Sequence, residues 1–217
     1  MDSEYMKKQL IGLTVLSSLL FGSNVANAAT PTAELKVIGT LTVPSCTIVA
    51  PDEGVYDLGR LSSSLVKSGT ALTALTAITK TWTVNCDADT YLNFTPVDNR
   101  AASASSVATT NFGLGNVNET GKIGYYTAVI KQGTVDGKAS NLFSSATSTF
   151  TATTTAALTT GLRTGWSSAA NTQSTGKVFT ADITVSPILA GTTTMGGPIT
   201  EDAEIDGSMT MNFAFGI

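Results

Sequence analysis

Leu35, Val37, Leu41 and Val43 recur at every second position, with Gly39 at the centre of the series. In an extended segment this spacing sets all five on one face. The stretch runs through Pro44 and Ser45 to Cys46, the first of two cysteines. A strand with one apolar face must find a surface to cover that face. The chain therefore has to supply a sheet for this segment or find one elsewhere.

The sequence that follows reads almost entirely as β-structure. Short runs rich in Thr, Val, Ile and aromatics alternate with clusters of Gly, Asn, Asp and Ser, the pattern of a sandwich or barrel. Expected strands are 41–49, 54–58, 80–86, 90–97, 123–131, 179–187 and 208–217. Thr70 to Thr79 reads equally as a strand or a short helical turn. Three stretches rich in Ser, Thr and Ala have no strong period. Of these, 101–110 and 167–175 read as exposed loops, and 144–160, which contains Phe150 and Leu158, as a stretch with a weak, threonine-rich strand within it. No repeat stands out and no linker divides the chain, so one domain is expected.

The first 28 residues read as an export signal. Lys7 and Lys8 are the positive region, Leu10 to Phe21 the apolar run and Ala26-Asn27-Ala28 the cleavage site. Met6, just before the lysines, is an alternative start to Met1. The apolar run is shorter than the about 20 residues a membrane span needs. Lys and Arg number 12 against 16 Asp and Glu, a net charge of −4. That balance argues against nucleic acid or an anionic membrane as partner. Two cysteines in an exported chain most simply form one disulfide, which would stabilise the fold by about 4 kcal/mol in the chain-entropy model. Two free buried thiols, or a metal held by cysteines alone, are the alternatives.

Taken together, the apolar segment 35–46, the sequence Tyr56-Asp57-Leu58-Gly59-Arg60-Leu61, the sequence 80–87 around Cys86 and the C-terminus resemble the pilin subunits of chaperone–usher fimbriae. At the C-terminus Met209, Met211, Phe213, Phe215 and Ile217 alternate with smaller or polar residues. Pilins often carry an aromatic as the second-last residue. Here that place is Gly216, and Phe215 is third-last, which marks a divergent branch.

The resemblance implies an incomplete immunoglobulin-like β-sandwich over residues 46–217, preceded by a donor extension over residues 29–45. In such subunits Leu35, Val37, Gly39, Leu41 and Val43 would be the face inserted into a neighbour's groove by strand addition. Gly39 read alone is a strand glycine at a bulge or close approach; the resemblance places it where a groove has no room for a side chain. Burial of the four aliphatic side chains would contribute on the order of 10 kcal/mol before entropy costs. The strand of Met209, Met211, Phe213, Phe215 and Ile217 would border the groove and meet a periplasmic chaperone. The implied partners are other subunits head to tail, that chaperone and an outer-membrane usher. The implied destination is a fimbria on the cell surface, with a role in adhesion. The implied bond joins Cys46 to Cys86.

No cofactor, metal or catalytic centre is expected. The chain has no histidine, which removes the common triads and most zinc sites. Gly113-Leu114-Gly115 reads as a turn, and Asn118-Glu119-Thr120 matches a glycosylation acceptor without a context that uses it. Glu201, Asp202, Glu204 and Asp206 read as a solvated turn, with a share in a calcium site as the alternative. Trp82 reads as core by its alternation with Thr81 and Thr83. Trp166, between Gly165 and Ser167, reads as exposed and as the better sugar-stacking candidate. Rival roles are an exported β-sandwich module that uses 35–43 as its own first strand, a minor or tip adhesive subunit and, last, an enzyme.

Overall fold

A single strand of 21 residues, Ile78–Asp98, runs through both layers of the protein. The computed structural model describes residues 30–216, so the expected signal over residues 1–28 and Ile217 lie outside the described residues. The chain divides into two units after Leu41. Residues 30–41 carry no helix or strand. All the regular structure described here belongs to the second unit.

Strands of three residues or more are β1 (Cys46–Val49), β2 (Ile78–Asp98), β3 (Gly124–Val135), β4 (Asn141–Ser145), β5 (Thr155–Ala157), β6 (Arg163–Ala169), β7 (Thr175–Leu189) and β8 (Met209–Phe215). Every pairing among them is antiparallel. One layer runs β5, β3, β7, the first half of β2, then β1. The other runs β4, β6, the second half of β2, then β8. The result is an all-β, sandwich-like fold in which β2 carries one continuous, curled sheet from layer to layer. The changeover coincides with a register shift between Gly176 and Val178 of β7. Such an irregularity bends a strand where two layers part.

The core follows the period of two. Tyr126, Ala128 and Ile130 of β3 are buried, as are Phe179, Ala181 and Ile183 of β7. Phe94, Leu92, Leu142 and Trp166 close it from the other layer. Cys46 lies directly opposite Cys86 in the β1–β2 ladder, and the two form the disulfide. Free thiols and a thiolate metal site are therefore ruled out.

Several expectations need correction. Segments 80–86 and 90–97 are not two strands but one, because Asp87, Ala88 and Asp89 between them stay extended and continue β2. The first strand begins at Cys46 rather than at residue 41. Residues 54–58 alternate inward and outward as a strand would, yet they form no ladder. Residues 167–175 are mostly exposed, as expected, but they form a hairpin rather than an irregular loop. They finish β6 and turn at Asn171, which has φ 57°, into a short return strand, and Ser167 is fully buried. Trp166 is not exposed either: only 3% of it is accessible. Its ring meets Phe179 edge-on at 5.3 Å, and its Nε1–H donates to the Thr180 carbonyl at 2.9 Å. The small flanking residues serve packing. At Gly165 a Cβ would lie 2.7 Å from the Phe143 ring and 2.8 Å from the Leu92 carbonyl.

Candidate functional site

β8 pairs with β2 along one edge, from Met209 opposite Asp98 to Phe215 opposite Leu92. Among the described residues no strand pairs with its other edge. Beside that edge lies an elongated groove of about 970 Å³. Its floor is apolar: Ile183, Val185, Pro187 and Leu189 of β7, with Trp82, Leu114, Tyr126 and Met195. Met209 and Met211 of β8 form one wall. Residues 54–63 form the other, and residues 199–205 with Gly207 line the groove just before β8 begins.

The wall opposite β8 is unusual in its local structure. After β1 the chain turns through Asp52, Glu53 and Gly54, whose φ values are 46°, 56° and 84°. Left-handed residues in succession reverse the chain within a few positions and take it out of the β1 ladder. It then runs extended, with Tyr56 and Leu58 turned inward and Val55 and Asp57 outward. Gly59, with φ 63°, ends the run, and the Asp57 carboxylate accepts its N–H at 2.7 Å. Residues 55–58 thus have a strand's alternation without a strand's hydrogen-bonded neighbour. The groove lies between the unpaired edge of β8 and this segment, which also has no ladder partner.

The charges sit at the margins. Arg60 approaches Asp202 at 3.8 Å, both fully in solvent, and Arg100 holds Asp206 at 2.6 Å. Two of the four acidic residues in 201–206 are thereby each paired with an arginine. Among the described residues no group of three His, Cys, Asp or Glu could hold a metal ion. Burial pushes the Tyr56 phenol above its ordinary value; the Trp82 hydrogen bond opposes this and the Asp182 charge adds to it. Burial also pushes Tyr126 up, with Asp98 adding to the effect. Both rings line the groove as neutral groups at physiological pH.

The residues singled out from the sequence fall into two sets. Leu35, Val37, Leu41 and Val43 are 85%, 89%, 103% and 84% exposed, and residues 35–43 carry no strand. A Cβ on Gly39 would meet nothing within 4 Å. Met209, Met211 and Phe213 are half-buried against the core, and Phe213 packs its ring 5.2 Å from Phe94. Phe215 is 41% exposed at the end of β8. The groove floor on β7 and the wall at 54–63 were not anticipated as a site. The alternation of Tyr56 and Leu58 is the available signal, and from the sequence alone it reads as an ordinary strand.

A family described as "Protein of unknown function (DUF1120)" matches residues 35–110. The match takes in the exposed apolar segment, β1, the disulfide, the groove wall and β2, and it covers less than half of the chain. No curated protein and no solved structure matches.

Proposed function

We propose that this chain is a structural subunit of a surface fimbria of the chaperone–usher type, and that residues 35–43 of one copy fill the groove of the next. One pairing of facts carries the reading. The second unit has an open apolar groove between two edges that lack a strand, and the same chain carries a strand-like apolar segment that lacks a sheet. Nine extended residues span about 30 Å, enough to run the length of β8. Leu35, Val37, Leu41 and Val43 would turn into the floor while the backbone completes both ladders. The contact joins two different surfaces, so repetition makes an open filament rather than a closed dimer.

Export also follows from this reading. A free strand edge and an apolar groove invite aggregation, so a periplasmic chaperone would cover the β8 edge until an outer-membrane usher exchanges it for the next subunit. The role is assembly and adhesion rather than turnover. Whether the subunit forms the rod or a minor or tip position is a separate question of order within the filament.

The deciding experiment deletes residues 29–45 and adds a synthetic peptide spanning Glu34 to Ser45. The shortened chain should fold alone with low stability, and the peptide should raise its melting temperature sharply. A full chain that is a stable monomer, with a shortened chain that no peptide rescues, would instead make 35–43 the protein's own strand. The self-contained exported module would then be the better reading.

A further inference from the structure

The wall formed by residues 55–62 has no ladder of its own, so something else must hold it against the floor of the groove. Three side chains do so at its first turn. The Tyr56 hydroxyl donates to the Ile183 carbonyl at 3.1 Å and accepts from Trp82 Nε1–H at 3.0 Å. This ties the wall to the floor of the groove. Lys80, whose side chain is only 15% exposed, pairs with the Asp52 carboxylate and donates to the Val55 carbonyl at 2.5 Å. Its ammonium also sits 5.5 Å from the centre of the Tyr56 ring. Asp52 reaches Lys80 from a left-handed backbone, so the turn's strain and the ion pair belong to one device. At Gly54 a Cβ would lie 3.3 Å from the Trp82 ring, so the turn is seated closely on the same indole.

From this geometry we infer that Lys80, Tyr56 and Trp82 form a clasp that sets the width of the groove, and so decides whether the chain can accept a strand. The three are positioning residues. They act by fixing the wall's unpaired N–H and C=O groups where an entering strand can meet both edges at once. Such preorganisation raises affinity because the wall is not ordered at the moment of binding. Toward its other end the wall has the exposed Arg60–Asp202 pair, a contact of a kind worth little in water, and the chain next meets the core at Val66. Freedom released at the clasp would therefore run the length of residues 55–62. This inference rests on the groove being a strand acceptor.

The test uses chains of residues 29–217 carrying Gly39→Arg, so that their own segments do not compete. Binding of a fluorescently labelled peptide spanning Glu34 to Ser45 is followed by anisotropy, and hydrogen exchange is measured over residues 55–62. Tyr56→Phe keeps the ring and loses both hydrogen bonds, and should weaken peptide binding about tenfold. Lys80→Gln should do the same, and Lys80→Arg should restore most of the affinity. Exchange should rise over 55–62 while β2 and β7 stay protected. Peptide affinities within twofold of the parent in both weakening variants would overturn the clasp. Loss of the whole fold in Tyr56→Phe would overturn it too, because the tie would then hold the sandwich and not the wall. A Gly39→Arg parent that fails to bind the peptide would instead overturn the groove reading itself.

Discussion

Two regions of this chain share one pattern and have opposite fates. Residues 35–43 and β8 both place apolar side chains at every second position. In β8 the inward set, Met209, Met211 and Phe213, is half-buried against the core, and one edge is hydrogen-bonded to β2. In 35–43 the corresponding set is fully exposed and neither edge is paired. Alternation therefore fixes which side chains share a face; it does not say whose surface that face will cover. The protein's own sheet takes the C-terminal strand and leaves the N-terminal one over. The groove beside β8 lacks the kind of element that 35–43 provides.

The boundary between the two regimes is Cys46, where exposed chain becomes β1. Cys46→Ser should have the largest effect on the folded unit, a loss of about 4 kcal/mol by denaturant titration, because the bond to Cys86 closes a long loop. Unchanged stability and unchanged periplasmic accumulation would show that the β1–β2 ladder alone holds that boundary. Next in size is a matched pair of truncations. Phe213→Ala should cost the single chain about 3 kcal/mol, since its ring packs on Phe94. Leu41→Ala should change the same chain by less than about 0.5 kcal/mol, as for an exposed position with nothing to lose. The order should reverse in an assembly assay, where Leu41→Ala weakens subunit contacts. Equal losses in the single chain would mean that 35–43 is already packed on its own domain.

Much of this architecture was legible in the sequence, and the failures share a physical cause. β3, β7 and β8 announce themselves because one face is apolar and the other is not. β1 and β2 are marked by their cysteines. β4 and β6 are not announced: Asn141–Ser145 and Arg163–Ala169 are mostly polar or small, and Ser167 and Thr164 are buried all the same. Their outer face is covered in part by Phe150 from a Thr-rich stretch, stacked 4.1 Å from Phe143. A strand buried on both sides by long-range cover loses the alternation that would reveal it. Trp166 was misplaced for that reason. The groove wall failed in the opposite sense. Residues 54–58 carry a strand's alternation, and only the structure shows that the ladder partner is missing.

Gly39 allows the comparison to be broken in the other direction. In the single chain a side chain there meets open space, so Gly39→Arg should leave the melting temperature within a degree or so of the parent, as for other uncrowded surface changes. Filament yield should nevertheless collapse. Normal yield would remove 35–43 from the assembly contact. A large drop in melting temperature would show that the segment is seated within its own chain.

The smallest effect lies in neither region and serves as a control on both. Asp136, at the turn after β3, accepts the N–H groups of Val178 and Lys177 at 2.9 and 3.0 Å. These bonds hold its carboxyl below its ordinary value of 3.8, with nearby Lys138 and Lys177 adding to the effect. A lowered folded value means that the ionised form stabilises the fold. That contribution is fully present above the ordinary value and is lost as pH falls from there through the folded value. Asp136→Asn should therefore lower the melting temperature slightly at neutral pH, and the difference from the parent should vanish in strong acid. Peptide capture by the groove should be the same in both proteins at neutral pH, because this turn lies outside the groove lining. If Asp136→Asn weakened capture as much as Tyr56→Phe, capture would be tracking general stability. The contrast between a finished C-terminal strand and an unfinished N-terminal one would then no longer rest on the groove.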